Sequence, residues 1–182
     1  MTFADKLTLL RIVLVPVFLS LLSYSKANPV LLYWALAVFI LAVLTDFFDG
    51  LVARIKNEKS ELGAALDPFA DKLLMISAFV SLYLLKFAIP LWAVLIMVSR
   101  DLLILFGTFF LYFLKIEVKI IPTAWGKLTT ALQMAAAIAV ILDLYLSFWI
   151  ICSAVFFTLI SGFDYLRKGV RIVNVAEAEN SG

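Results

Sequence analysis

The sequence predicts an all-α integral membrane protein whose six transmembrane helices surround a polar cavity open to the cytoplasm. Three observations carry this. Of 182 residues, 65% are hydrophobic and only 15% are charged, whereas a soluble domain usually carries about 25% charged residues. Six apolar segments, each near the roughly 20 residues a hydrocarbon core requires, alternate with short polar breaks. The charges that interrupt those segments all fall at a similar depth.

The spans, taken in order, are residues 8–25, 30–53, 62–85, 91–114, 123–143 and 145–166. No small-residue cleavage site follows the first, so it reads as a retained helix and not as a signal peptide. Ala27-Asn28-Pro29 separates the first two, Lys56–Glu61 the next pair, Lys86–Pro90 the third and fourth, and Lys115–Pro122 the fourth and fifth. The last break, near Asp143, has weak turn chemistry. Residues 1–173 form one membrane domain, and 174–182 read as a polar, disordered C-terminal tail.

Basic residues orient the helices. Of 15 Lys and Arg, 11 lie at one set of ends: Lys6, Arg11, Arg54, Lys56, Lys59, Lys115, Lys119, Lys127, Arg167, Lys168 and Arg171. Lys26 and Lys86 lie at the opposite ends, and Lys72 and Arg100 lie inside spans. The positive-inside rule then places both termini of a multi-pass cell-membrane protein in the cytoplasm. With no histidine in the chain, Ser-His-Asp triads, HExxH zinc sites and phosphohistidine chemistry are excluded. A net charge of +2 gives no broad basic face for nucleic acid. The single Cys152 cannot form an internal disulfide.

With that orientation, Asp46 and Asp49 near the end of the second span, Asp67, Asp71 and Lys72 early in the third, Arg100 and Asp101 mid-fourth, and Lys127 opening the fifth all fall in the cytoplasmic half of the bilayer. Asp71 lies about 14 Å below the start of its helix. A charge at the bilayer centre costs on the order of 3 kcal/mol on insertion scales, so such groups face a pocket. On a helix, Asp46, Asp49, Gly50 and Ala53 share one face, as do Gly63, Asp67 and Asp71. Four carboxylates on two consecutive helices need cations to stay ionised. Hard oxygen ligands of this kind suit Mg²⁺ or Mn²⁺, and two such ions neutralise four acids. Gly50 and Gly63 allow close backbone approach by a ligand, and Arg54 is placed to fork onto a phosphate. Arg100 has no evident partner except Asp101, which points about 100° away around the helix. Arg100 and Lys127 are therefore candidates for a second anionic group, with Lys119 a weaker one. Trp34, Phe109 and Phe110 are expected to face lipid or fill the bundle.

The run Thr45-Asp46-Phe47-Phe48-Asp49-Gly50-Leu51-Val52-Ala53-Arg54, followed by Gly63, Asp67 and Asp71, resembles the signature of the CDP-alcohol phosphatidyltransferases, DxxDGxxAR-x8-GxxxDxxxD. All eight specified positions are filled. Leu7–Arg11 with Pro16, Ser99-Arg100-Asp101 and Gly126-Lys127 are similar to further family positions, with Asp5 where an Asn is common. The resemblance implies a six-helix membrane enzyme, commonly a homodimer, in which two divalent ions bind the CDP diphosphate and an acceptor hydroxyl displaces CMP. It implies that Asp46, Asp49, Asp67 and Asp71 are metal ligands and that Asp71 is also the general base. Asp49, Gly50, Ala53, Arg54 and Gly63 are implied to form the CDP site. CDP-diacylglycerol enters laterally from the membrane lipids. The opening segment, Ser99-Arg100-Asp101 and Ser161–Tyr165 look most like the branch whose acceptor is glycerol 3-phosphate, with Arg100, Lys127 and Lys119 on the acceptor phosphate. Ser99–Ile104 and Pro122–Lys127 also resemble the branch that uses phosphatidylglycerol.

Two other classes compete. Intramembrane acids also mark divalent-cation transporters, but here the charges cluster in one leaflet and leave no polar route through the other. A purely structural membrane protein gives no reason for paired acids to share a face on each of two helices.

Overall fold

The computed structural model describes residues 3–56, 61–113 and 124–180, and among these the only regular secondary structure is α-helix. The helices are α1 (Phe3–Tyr24), α2 (Val30–Lys56), α3 (Glu61–Leu84), α4 (Leu91–Phe113), α5 (Ala124–Ile141) and α6 (Ser147–Asn180). The chain divides into two compact units. One comprises Met1–Ala88 with Val140–Asp143, the other Ile89–Ala139 with Leu144–Gly182.

In the first unit α1 packs against both α2 and α3. Asn28 caps α2, its Oδ1 accepting from the Val30 N–H at 3.1 Å and its carbonyl from the Leu31 N–H at 3.0 Å. Pro29 stands just inside that cap, where its missing N–H costs nothing. The short link brings α2 back antiparallel to α1, and Phe18 meets Phe39 with ring centroids 5.4 Å apart. The unit's core continues through Val15 and Leu22, Ala35 and Ala42, and Ala70, Leu74, Ala78 and Leu82. Small residues let helices approach closely where lipid removes most of the hydrophobic incentive to associate.

Lys86 ends α3 in the left-handed region at φ 59°. The Phe87 N–H reaches the Leu82 carbonyl and the Lys86 N–H the Tyr83 carbonyl, both at 2.9 Å. This Schellman arrangement satisfies carbonyls the helix end would strand. The break near Asp143 is made the same way. Asp143 has φ 49°, with Leu144 N–H to Ala139 O at 3.0 Å and Asp143 N–H to Val140 O at 3.2 Å. Asp tolerates that conformation better than most residues, so the turn forms without Gly or Pro.

In the second unit α4 packs against α6. Arg100 pairs with Ser161, and Tyr165 with Ile104, so contacts advance together along the two sequences and the helices run parallel. The five residues between α5 and α6 return the chain, and Thr129 Oγ1 donates to the Phe157 carbonyl at 2.9 Å. The buried amide Nε2 of Gln133 donates to Thr158 Oγ1 at 3.3 Å.

Ala124–Ile141 and Ser147–Gly169 are long and apolar enough to cross a membrane. Thr8–Tyr24, Val30–Thr45 and Lys72–Leu84 are shorter apolar stretches among the described residues. Large apolar side chains stand exposed on every helix, among them Val13, Leu41, Phe69, Phe106, Leu128 and Phe156. Such continuous exposure is foreign to a soluble surface. Trp34 and Phe109 are exposed as well, while Phe110 lies outside the described side chains.

The polar tail from residue 174, expected to be disordered, is helical as far as Asn180, where α6 ends. Nothing between Arg171 and Glu179 stops a helix. Ala176–Glu179 are all good helix formers, and polarity by itself does not stop a helix.

Candidate active site

Asp46, Asp49, Gly50, Ala53 and Arg54 occupy the last three turns of α2, and Gly63, Asp67 and Asp71 the first three turns of α3. Both segments are helical, so the spacings that put 46, 49, 50 and 53 on one face, and 63, 67 and 71 on another, are realised in the backbone. Both helices belong to the unit built on α1. The side chains of these eight residues lie outside what the structure describes. Among the described residues no three metal-ligating side chains cluster. The donor set fits divalent ions on its chemistry: two hard-oxygen pairs, each on one helix face, with both helices standing on a third.

Two buried cations belong to the same unit. Lys72, beside Asp71, is buried and partnered. Arg11 is only 1% exposed and is also partnered. The sequence counts Arg11 among the charges at the cytoplasmic helix ends; the structure adds that its side chain is buried. Thr8, Arg11, Val15, Phe18 and Leu22 form a single buried stripe. The signal available in the sequence was this spacing, 3-4-3-4, which sets Arg11 in register with apolar core residues.

In the second unit, Arg100 is 7% exposed and Asp101 1%. The expectation that Asp101 points away from Arg100 does not hold. Arg100 Nη1 donates to Asp101 Oδ1 at 2.8 Å, and Nη2 donates to Ser161 Oγ at 2.6 Å. A long arginine side chain can lap the 100° between adjacent positions. Its stem passes Gly162, where an added Cβ would stand 3.6 Å from Arg100 Cγ. Among the described residues Arg100 Nε is buried without a hydrogen-bond partner, and two of the five N–H donors on its guanidinium are used. Ser161, which in the sequence stands only within the family-like run Ser161–Tyr165, becomes a functional candidate through this contact. Lys127 is exposed on the first turn of α5, and Lys119 lies outside the described residues.

The model of the CDP-alcohol phosphatidyltransferase family matches residues 1–160. A probable phosphatidylglycerophosphate synthase of Mycobacterium tuberculosis is 37% identical over 179 residues, covering 92% of this chain and 81% of the relative. A CDP-diacylglycerol–glycerol-3-phosphate 3-phosphatidyltransferase of Bacillus subtilis is 32% identical, covering 90% of this chain and 93% of the relative. A CMP-forming cardiolipin synthase of Rattus norvegicus is 31% identical, covering 98% of this chain and 65% of the relative.

Proposed function

This chain belongs to the CDP-alcohol phosphatidyltransferase family, and from that premise we propose that it transfers the phosphatidyl group of CDP-diacylglycerol to glycerol 3-phosphate, releasing CMP. The observation that carries the reading is the complete eight-residue signature on two helical segments of one unit. The relatives named for this reaction are matched over most of their length.

Asp46, Asp49, Asp67 and Asp71 hold two divalent cations, Mg²⁺ or Mn²⁺. When bound, these supply positive charge against the diphosphate and the leaving CMP. Asp71 accepts the proton of the acceptor hydroxyl, which requires hydrogen-bond reach in the bound complex. The hydroxyl oxygen forms a bond to the phosphatidyl phosphorus, and the bond from that phosphorus to the CMP phosphate oxygen breaks. Asp49, Gly50, Ala53, Arg54 and Gly63 bind the CDP moiety, with the Arg54 fork on phosphate. Arg100 and Lys127 bind the acceptor phosphate, with Lys119 contributing less. The three unspent N–H donors of Arg100, one of them a buried orphan, support an anionic ligand there, since a buried unsatisfied donor costs about 1–3 kcal/mol.

The enzyme crosses the membrane six times with both termini in the cytoplasm, and it works as a homodimer. The parallel run of α4 and α6 supports this topology, because α5 must then cross between them. Within the first unit, Tyr24, Tyr33 and Trp34, all exposed, stand near the ends of α1 and α2 away from the acids, where interfacial aromatics belong.

A second reading, a cardiolipin synthase taking phosphatidylglycerol, is favoured by the rat relative. An acceptor panel decides. Purified protein with CDP-diacylglycerol and Mg²⁺ is expected to release CMP with glycerol 3-phosphate and to form the corresponding phosphoester lipid. CMP release with phosphatidylglycerol alone would give the assignment to the second reading.

A further inference from the structure

We propose that Arg11 on α1 is a positioning residue for Asp46, the first acid of the signature; the inference rests on the two-cation reading given above. It follows from the register of α1 against α2. The two helices are antiparallel, and Phe18 and Phe39, both fully buried, meet ring to ring. Moving toward the N-terminus of α1, its buried stripe steps from Phe18 to Val15, Arg11 and Thr8, by three, four and three residues. Moving toward the C-terminus of α2, the same steps lead from Phe39 through the buried Ala42 to positions 46 and 49. At 1.5 Å per residue, positions 11 and 46 each lie about 10.5 Å from the phenylalanine contact, on the same side of it. The fold therefore sets Arg11 level with Asp46, and Thr8 level with Asp49.

Chemistry gives the placement a purpose. A guanidinium stays charged under all relevant conditions and is tolerated in a core only with an anionic partner. Arg11 is buried and not without a partner, its Nε, Nη1 and Nη2 form no hydrogen bond among the described residues, and its stripe faces the helices that carry the four acids. Its planar fork suits a carboxylate geometrically as well as electrostatically. Such support from outside the ligand set is typically worth 10–100-fold in metal affinity or activity. A cation serving only as counter-charge has the opposite sign of effect, because removing it strengthens attraction for Mn²⁺. The two roles are therefore separable by experiment.

The test measures Mn²⁺ binding directly, by loss of the free-ion electron paramagnetic resonance signal, on the full chain in lipid nanodiscs. Arg11→Met is expected to weaken binding about 10-fold. Arg11→Lys keeps the buried charge, so it folds even where the Met variant does not, and it is expected to weaken binding several-fold through loss of the fork. If Arg11 acts through Asp46, adding Arg11→Met to Asp46→Asn changes nothing further, whereas independent effects multiply. Unchanged or tighter binding in Arg11→Met, wild-type affinity in Arg11→Lys, or a multiplicative double variant overturns the proposal. If wild type binds Mn²⁺, Asp46→Asn weakens it and the Arg11 variants do not, this inference alone falls. If wild type binds no Mn²⁺, the two-cation reading falls and takes this inference with it.

Discussion

Gly107 tests whether the α4–α6 seam, which sets Arg100 against Ser161, is packed as described. A Cβ at position 107 would stand 2.7 Å from Tyr165 Oη, 3.0 Å from Cε1 and 3.3 Å from Cζ. The first two distances oblige the ring to move. Tyr165 Oη donates to the Ile104 carbonyl at 3.2 Å, and a displaced ring forfeits that bond, at about 1 kcal/mol. Overpacking adds about 1–3 kcal/mol. Alanine's helix propensity returns about 1 kcal/mol. Gly107→Ala should therefore destabilise by about 1–3 kcal/mol, the sum of those terms. Tyr165→Phe deletes the nearest atom, so in that background Gly107→Ala should cost less, with a coupling of about 1 kcal/mol between neighbours. Reversible unfolding in mixed micelles, titrated with denaturing detergent, measures all four proteins. If Gly107→Ala matches or exceeds wild-type stability, propensity outweighs contact and the close approach of these helices is wrong.

Three further outcomes follow from the site. Asp46→Asn, Asp49→Asn, Asp67→Asn and Asp71→Asn should each remove most CMP release while the protein still inserts, and chelation should abolish wild-type activity until Mg²⁺ or Mn²⁺ is restored; full turnover in chelator contradicts this. Arg54→Lys keeps charge but loses the fork, so CDP affinity by calorimetry should fall clearly, whereas unchanged binding in Arg54→Ala moves the nucleotide site elsewhere. Arg100→Ala and Lys127→Ala should raise the KM for glycerol 3-phosphate far more than that for CDP-diacylglycerol; for Arg100, an equal rise for both substrates marks its pairing with Asp101 and Ser161 as purely structural.

The helices were legible because their breaks carry strong local chemistry. Asn28-Pro29 caps and starts α2 as written, and each expected span falls within three residues of its helix at every boundary except the two ends of the chain. Those ends failed for local reasons. At α1, Phe3–Leu7 precede the apolar window yet continue its helix, and at α6 the polar residues beyond Leu166 are still helix formers. The signature was legible because a helix converts its spacing directly into shared faces. What stayed hidden was burial of individual charges. Arg11 sits near a chain end, where basic residues usually mark the cytoplasmic rim, and only its register with Val15 and Phe18 assigns it to the core. Arg100 and Asp101 look divergent on a helical wheel, which takes no account of side-chain length. The Thr129, Gln133 and Thr158 bonds between α5 and α6 were missed because isolated hydroxyls and amides inside apolar runs leave little trace. In lipid, such groups hold helices together.

The central claim is that the hydroxyl of glycerol 3-phosphate attacks the phosphatidyl phosphorus of CDP-diacylglycerol. Its most direct test uses glycerol 3-phosphate labelled with oxygen-18 at the primary hydroxyl, with mass spectrometry of both products. The account predicts one labelled oxygen in the new phosphodiester of the lipid and none in CMP, in equal molar yields. Label in CMP, or a lipid product without label, would contradict it.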